Sequence, residues 1–190
     1  MSEAPLPIPG EQDLLSVLAQ YRESFSIKEY APENDERDVL MDVFGISPGL
    51  KRENRQFWGR ELGMCWQRIV SELFQATIKE YGPGLRQGAD ELCDLIAARD
   101  AIDTKYRIGS GDAGTLKKFK QYGKKLSALG LRPVLLIVRT DNLAAAITAC
   151  ETGGWIVLSG PGSFEYIHTM TGVRLDEWLK SLAKRYHIQR

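Results

Sequence analysis

Cys93-Asp94-Leu95-Ile96-Ala97-Ala98-Arg99-Asp100-Ala101-Ile102-Asp103-Thr104-Lys105-Tyr106-Arg107 reads as a β-hairpin. Its midpoint falls between Arg99 and Asp100. An even-length turn centred there sets Asp94 opposite Lys105 and Ile96 opposite Asp103. Directly paired side chains share a sheet face, and side chains alternate between faces along each strand. Asp94, Asp103, Lys105 and Arg107 therefore fall on one face. Cys93, Leu95, Ala97, Ile102, Thr104, Tyr106 and Ile108 fall on the other, which is mostly apolar. The expectation is a core face and a chemical face.

Two carboxylates on adjacent strands sit close, since opposed Cβ atoms are ~5 Å apart and diagonal ones ~7–8 Å. Left alone they repel. A hard cation such as Mg²⁺ relieves the repulsion and binds carboxylates together with water and phosphate oxygens. Such an ion activates a water and stabilises charge on a phosphate. Lys105 is placed to orient that water or to stabilise the developing charge. The competing reading is a plain cross-strand ion pair between Asp94 and Lys105. The apolar opposite face and the central placement bring the metal reading level with it.

Asp94-Leu-Ile-Ala, followed nine residues after Asp94 by Asp103-Thr-Lys105, resembles the PD-(D/E)XK nuclease signature. The run from Asp103 through Gly109-Ser-Gly-Asp-Ala-Gly to Gly123 resembles the ApaLI-like restriction endonucleases, as do Arg139-Thr-Asp-Asn-Leu143 and Gly153-Gly-Trp155. The similarity extends from about Gly88 to Leu179. Cys93 stands where the signature usually has proline. No strand is evident before Leu92 to complete the usual three-strand meander. The resemblance implies an α/β fold: a PD-(D/E)XK restriction-endonuclease-like core, its central mixed sheet flanked by helices, with extra N-terminal helices. It implies Mg²⁺, with Mn²⁺ able to substitute, held by Asp94, Asp103 and the Thr104 carbonyl, and Lys105 as the catalytic lysine. It also implies a supporting glutamate on the helix before the hairpin. Glu61 and Glu72 are the candidates, with Glu61 preferred, and Gln67 is a third on a different face.

The chain has 190 residues, 43% of them hydrophobic, and a formal net charge of zero. That suits one domain with a proper core. Nucleic-acid binding would have to rest on local charge. Cys65, Cys93 and Cys150 lack metal-ligand spacing, and His168 and His187 lie far from the acidic pair, so a zinc site is not expected. Sparse cysteines suit a reduced, cytoplasmic setting. No apolar run approaches the ~18 residues that a membrane span needs. Residues 1–10 read as a flexible tail, and 11–190 as a single domain: N-terminal helices over 11–50, nuclease core over 51–190.

Apolar periodicity predicts helices over Gln12–Phe25, Asp35–Phe44, Asn54–Tyr81, Thr115–Leu129, Leu143–Cys150, Phe164–Met170 and Leu175–Tyr186. Gly45 and Pro48 are read as stops, and Lys51–Glu53 as a polar joint. Strands are predicted over Val134–Arg139 and Trp155–Leu158, the first reached by a crossover. Asp90 is too far up its strand to join Asp103.

The Thr115–Leu129 helix carries Lys117, Lys118, Lys120, Lys124 and Lys125. Arg107, Lys117, Lys118 and Gln121 are candidate DNA contacts, phosphate contacts positioning the duplex without reading sequence. A solvated helix face is the plain alternative. The glycine-rich turn after Ile108 matches no nucleotide-binding loop. Arg139 and Asn142 suit base reading, while Thr140 or Asp141 could equally cap the next helix.

The expectation is a Mg²⁺-dependent restriction endonuclease cutting double-stranded DNA at a short palindromic site. It would act as a homodimer alongside a cognate DNA methyltransferase, with no membrane partner. The alternatives are a nuclease of the same fold for junction or repair DNA, and a non-catalytic DNA-binding module.

Overall fold

A computed structural model describes residues 11–26, 30–183 and 185–188; the expected tail over 1–10 lies outside them. Four helices come first: α1 (Glu11–Ser26), α2 (Val39–Phe44), α3 (Pro48–Glu53) and α4 (Arg55–Thr77). Strands β1 (Tyr81–Pro83), β2 (Arg86–Gln87), β3 (Asp90–Glu91), β4 (Leu95–Ala97) and β5 (Asp100–Lys105) follow. The chain then alternates: α5 (Ala113–Ala128), β6 (Arg132–Ile137), α6 (Ala144–Thr152), β7 (Ile156–Ser159), α7 (Pro161–Thr171) and α8 (Leu175–Ser181).

The five-stranded sheet has the order β1-β4-β5-β6-β7. β1, β4 and β5 are antiparallel neighbours, and β6 and β7 continue parallel to β5. The fold is α/β, a central mixed sheet flanked by helices. β5 is the middle strand, and the crossover through α5 makes β6 its parallel neighbour, as the strand pattern predicts.

Several element bounds differ from expectation. Asp38 caps α2, its carboxylate accepting from the amides of Leu40 and Met41, so that helix starts at Val39 and not near Asp35. Pro48 does not end a helix but opens α3 behind the Ser47 cap. Lys51, expected in a polar joint, is buried. α4 stops at Thr77, short of Tyr81, because Tyr81-Gly82-Pro83 forms the strand missing from the sequence reading. It pairs with β4 as Tyr81 to Ala97, Gly82 to Ile96 and Pro83 to Leu95. Proline is tolerated there because β1 is an edge strand. α8 ends at Ser181, not Tyr186.

The hairpin register also differs. Leu95 pairs with Ile102 and Ala97 with Asp100 across a two-residue turn, where Ala98 has φ of 53°. Continuing that register sets Asp94 against Asp103, not Lys105. The difference is two residues, so every side chain keeps its predicted face within the paired strands. Outside them the alternation fails: Cys93 and Ile108 pack on the far side from Leu95 and Tyr106.

Both sheet faces are covered. Leu95, Ala97, Ile102, Tyr106, Val134 and Leu136 pack with Trp58, Leu62, Trp66, Val70 and Phe74 of α4. Those five recur every four residues, one stripe of the helix. Val39, Leu40 and Met41 of α2 join the same core, so α2 is part of it. On the other face Ala101, Leu135 and Ile137 meet Leu126 of α5 and Ala146 and Cys150 of α6. The chemical face is therefore helix-covered, and Asp103 and Lys105 lie toward its end, at the carboxyl end of β5.

Candidate active site

Asp103 and Lys105 are alternate residues of β5 and share a face. The Lys105 ammonium donates to Asp103 Oδ2 at 2.5 Å and to the Thr104 carbonyl at 3.0 Å. Burial lowers the Lys105 pKa, but the charges of Asp103 and Asp94 outweigh it and the net shift is upward. The amine stays protonated, so it can orient a nucleophile or stabilise an anion but cannot accept a proton.

Asp94 sits where β4 begins. Its amide donates to the Ile102 carbonyl at 2.8 Å. Its carboxylate then replaces the next rung of the ladder: Oδ2 accepts from the Thr104 amide at 2.7 Å and the Thr104 hydroxyl at 2.6 Å. Oδ1 accepts from Gln67 Nε2 at 2.8 Å. Three donors fix the carboxylate, and still its pKa is pushed up to about 6, by burial first and by the charge of Asp103 second.

That residual repulsion is what a cation would relieve. Two carboxylates and a backbone carbonyl are oxygen donors of the kind Mg²⁺ takes, with positions left for water and phosphate. Among the described residues no group of three His, Cys, Asp or Glu side chains is placed to hold a metal. The donors named are all oxygens, without the thiolate or imidazole of a usual zinc site. Cys93 and Cys150 border the pair, and burial pushes their thiols up to about 11 and about 12. At neutral pH they are neutral and inert.

Of the candidates on α4, Gln67 is the one that reaches the cluster. Glu61 pairs with Arg60 in solvent, and Glu72 borders an apolar groove with Ile69, Leu73 and Trp178. Gln67 follows the buried stripe residue Trp66 by one position. Glu61 precedes the stripe residue Leu62 by one, so the two lie on opposite flanks of the helix.

An open groove of about 770 Å³ lies against Lys105. One wall is the extended stretch from Tyr30 to Glu33 with the loop from Arg107 to Ser110; Arg55, Gln56, Gly59 and Arg60 of α4 and Thr115 and Phe119 of α5 also line it. Arg107, a predicted DNA contact, does structural work within that wall: it donates to the Ala31 carbonyl at 2.7 Å and the Asp141 carbonyl at 2.9 Å. Lys118 pairs with Asp90 at 3.5 Å. Lys117 and Gln121 fall on the side of α5 away from Thr115 and Phe119, hence away from the groove.

The Arg139-Thr-Asp-Asn142 motif reads no base in this conformation, nor does it cap α6 with a side chain. Arg139 is buried and bonds Asp38, Asp141 and Asn34, at 3.2, 2.7 and 2.5 Å. Asn142 accepts from the Ile108 amide at 2.8 Å and donates to the Arg139 carbonyl at 2.7 Å. Lys51 extends the network, pairing with Glu33 and donating to the Tyr106 hydroxyl at 2.6 Å. Sequence reasoning missed this hub because its halves lie far apart in the chain. It did not foresee that Arg55 and Arg60 of α4 line the groove.

Comparison with family models, with curated proteins and with solved structures returns no match for this chain.

Proposed function

We propose that the protein is a Mg²⁺-dependent endonuclease of PD-(D/E)XK type that cuts double-stranded DNA at a short palindromic site, as type II restriction enzymes do. The observation that carries this reading is Asp103 and Lys105 alternating on the central strand beside a tethered Asp94, with a groove opening at Lys105. The order α4, antiparallel β1-β4-β5, α5, parallel β6 adds support, since it completes the meander the resemblance implies. Asp94, Asp103 and the Thr104 carbonyl would hold the ion, which when bound supplies positive charge to the phosphate and acidity to a water.

The chain's own residues supply the rest. Thr104 and Gln67 hold the Asp94 carboxylate in place. Lys105, protonated, orients the attacking water and stabilises charge building on the phosphate. Water oxygen bonds to phosphorus and gives up a proton to solvent, the bond to the 3′ oxygen breaks, and that oxygen takes a proton from solvent; a 3′-hydroxyl and a 5′-phosphate remain. Action on a palindrome calls for a homodimer, and host DNA would need protection by a cognate methyltransferase.

Digestion of long, unmethylated linear DNA tests the reading. Discrete fragments are expected with Mg²⁺ and wild-type protein, and none with EDTA, Asp103→Ala or Lys105→Ala. Full cleavage by either variant would exclude this site. Selective cutting of branched DNA would favour a junction or repair role, and metal-independent binding without cleavage a non-catalytic module.

A further inference from the structure

Among the described residues, side-chain charge in the groove is one-sided: Lys51, Arg55, Arg60, Lys105 and Arg107 line it, against Glu33. The chain as a whole carries no net charge, so this surplus is local. Three of the cations are tied down: Lys51 by Glu33, Lys105 by Asp103, and Arg107 by Asp141. Arg60 pairs with Glu61, and both side chains are exposed, 68% and 42%. Arg55 is exposed as well. Between them Gly59 leaves the helix surface bare, since a Cβ there would meet nothing within 4 Å.

We infer that Arg55 and Arg60 are phosphate contacts for the DNA strand whose scissile phosphate lies at Lys105. This rests on the nuclease reading above. The two arginines are five residues apart, about 7.5 Å along the helix axis. Five residues also turn the helix by about 140°, so the two side chains stand on either side of the strip that carries Gly59, both lining the groove. Guanidinium groups suit phosphate through paired hydrogen bonds, and bare helix between them lets the backbone approach. At about 770 Å³ the groove is also far larger than a single small anion. Contact with the duplex thus centres on the first turns of α4, not on the lysines of α5.

The test is equilibrium binding of a labelled duplex to the full chain in EDTA, followed by fluorescence anisotropy across salt concentrations. R55A/R60A is expected to lower the slope of log affinity against log salt by nearly two. At 0.1 M salt, affinity should drop about eightfold for each lost contact, similarly for every sequence. R55K/R60K should restore the slope, and K117A/K118A should leave it at the wild-type value. Thermal melts confirm that the variants fold. A wild-type slope in R55A/R60A, while wild-type protein still cuts DNA with Mg²⁺, would overturn the inference and leave the nuclease reading standing. Wild-type protein that neither binds nor cuts would overturn the reading itself.

Discussion

Asp94 keeps its proton to about pH 6, because burial and then Asp103 disfavour the charged form. A carboxyl whose pKa is raised on folding stabilises the fold at low pH, and that contribution is lost as pH rises through the folded value. In EDTA, the melting temperature of D94N minus that of wild type should therefore grow between about pH 4 and pH 6 and then level off. An unchanging difference would remove Asp103 and burial as the cause. Gln67→Glu puts a third carboxylate against this pair. It should destabilise the metal-free protein by about 1–3 kcal/mol and widen the gain in melting temperature on adding Mg²⁺. The acidic pair and lysine were legible because strand alternation gives the same face for any even slip of register. Gln67 was legible only as a third candidate behind Glu61, because its role depends on how α4 is rotated, which the stripe through Trp58, Leu62 and Trp66 fixes only once the sheet is in place.

Elements were legible in proportion to their length. α4, α5 and β6 carry long periodic patterns, and the structure differs from them mainly at the ends. β1 is three residues, Tyr81-Gly82-Pro83, with no alternation to read; only pairing with β4 makes it a strand. The meeting of α5 with the loop before β7 is equally silent in sequence. A Cβ on Gly123 would lie 2.4 Å from the Gly153 carbonyl oxygen and 2.7 Å from Trp155 Nε1. Gly123→Ala should accordingly cost about 1–3 kcal/mol, and Gly59→Ala, in open space on α4, should add about 0.5–1 kcal/mol. Denaturant midpoints for the two variants should move in opposite directions.

At the scale of the whole molecule, the stretch from Tyr30 to Asp38 is fastened to the sheet by buried polar groups, whereas α1 before it leaves Leu18 and Phe25 65% and 70% exposed. Removing residues 1–26 should shift the melting temperature by little, within about 0.5 kcal/mol of stability. Arg139→Met should cost about 3–5 kcal/mol, because Asp38 and Asp141 lose their buried partner. Calorimetry of the two variants would show whether the stretch or the helix carries the stability. The arginine was conspicuous in the sequence, but nothing local names partners so distant. Asn34 and Asp38 precede Arg139 by 105 and 101 residues. During synthesis they leave the ribosome long before the group that anchors them exists. A chain that ends short of Arg139 can already set Arg107 on Ala31 and Lys51 on Glu33, but it cannot yet hold Asn34 and Asp38. Translation delivers the wall first, the reactive residues next and the arginine that locks the two together last.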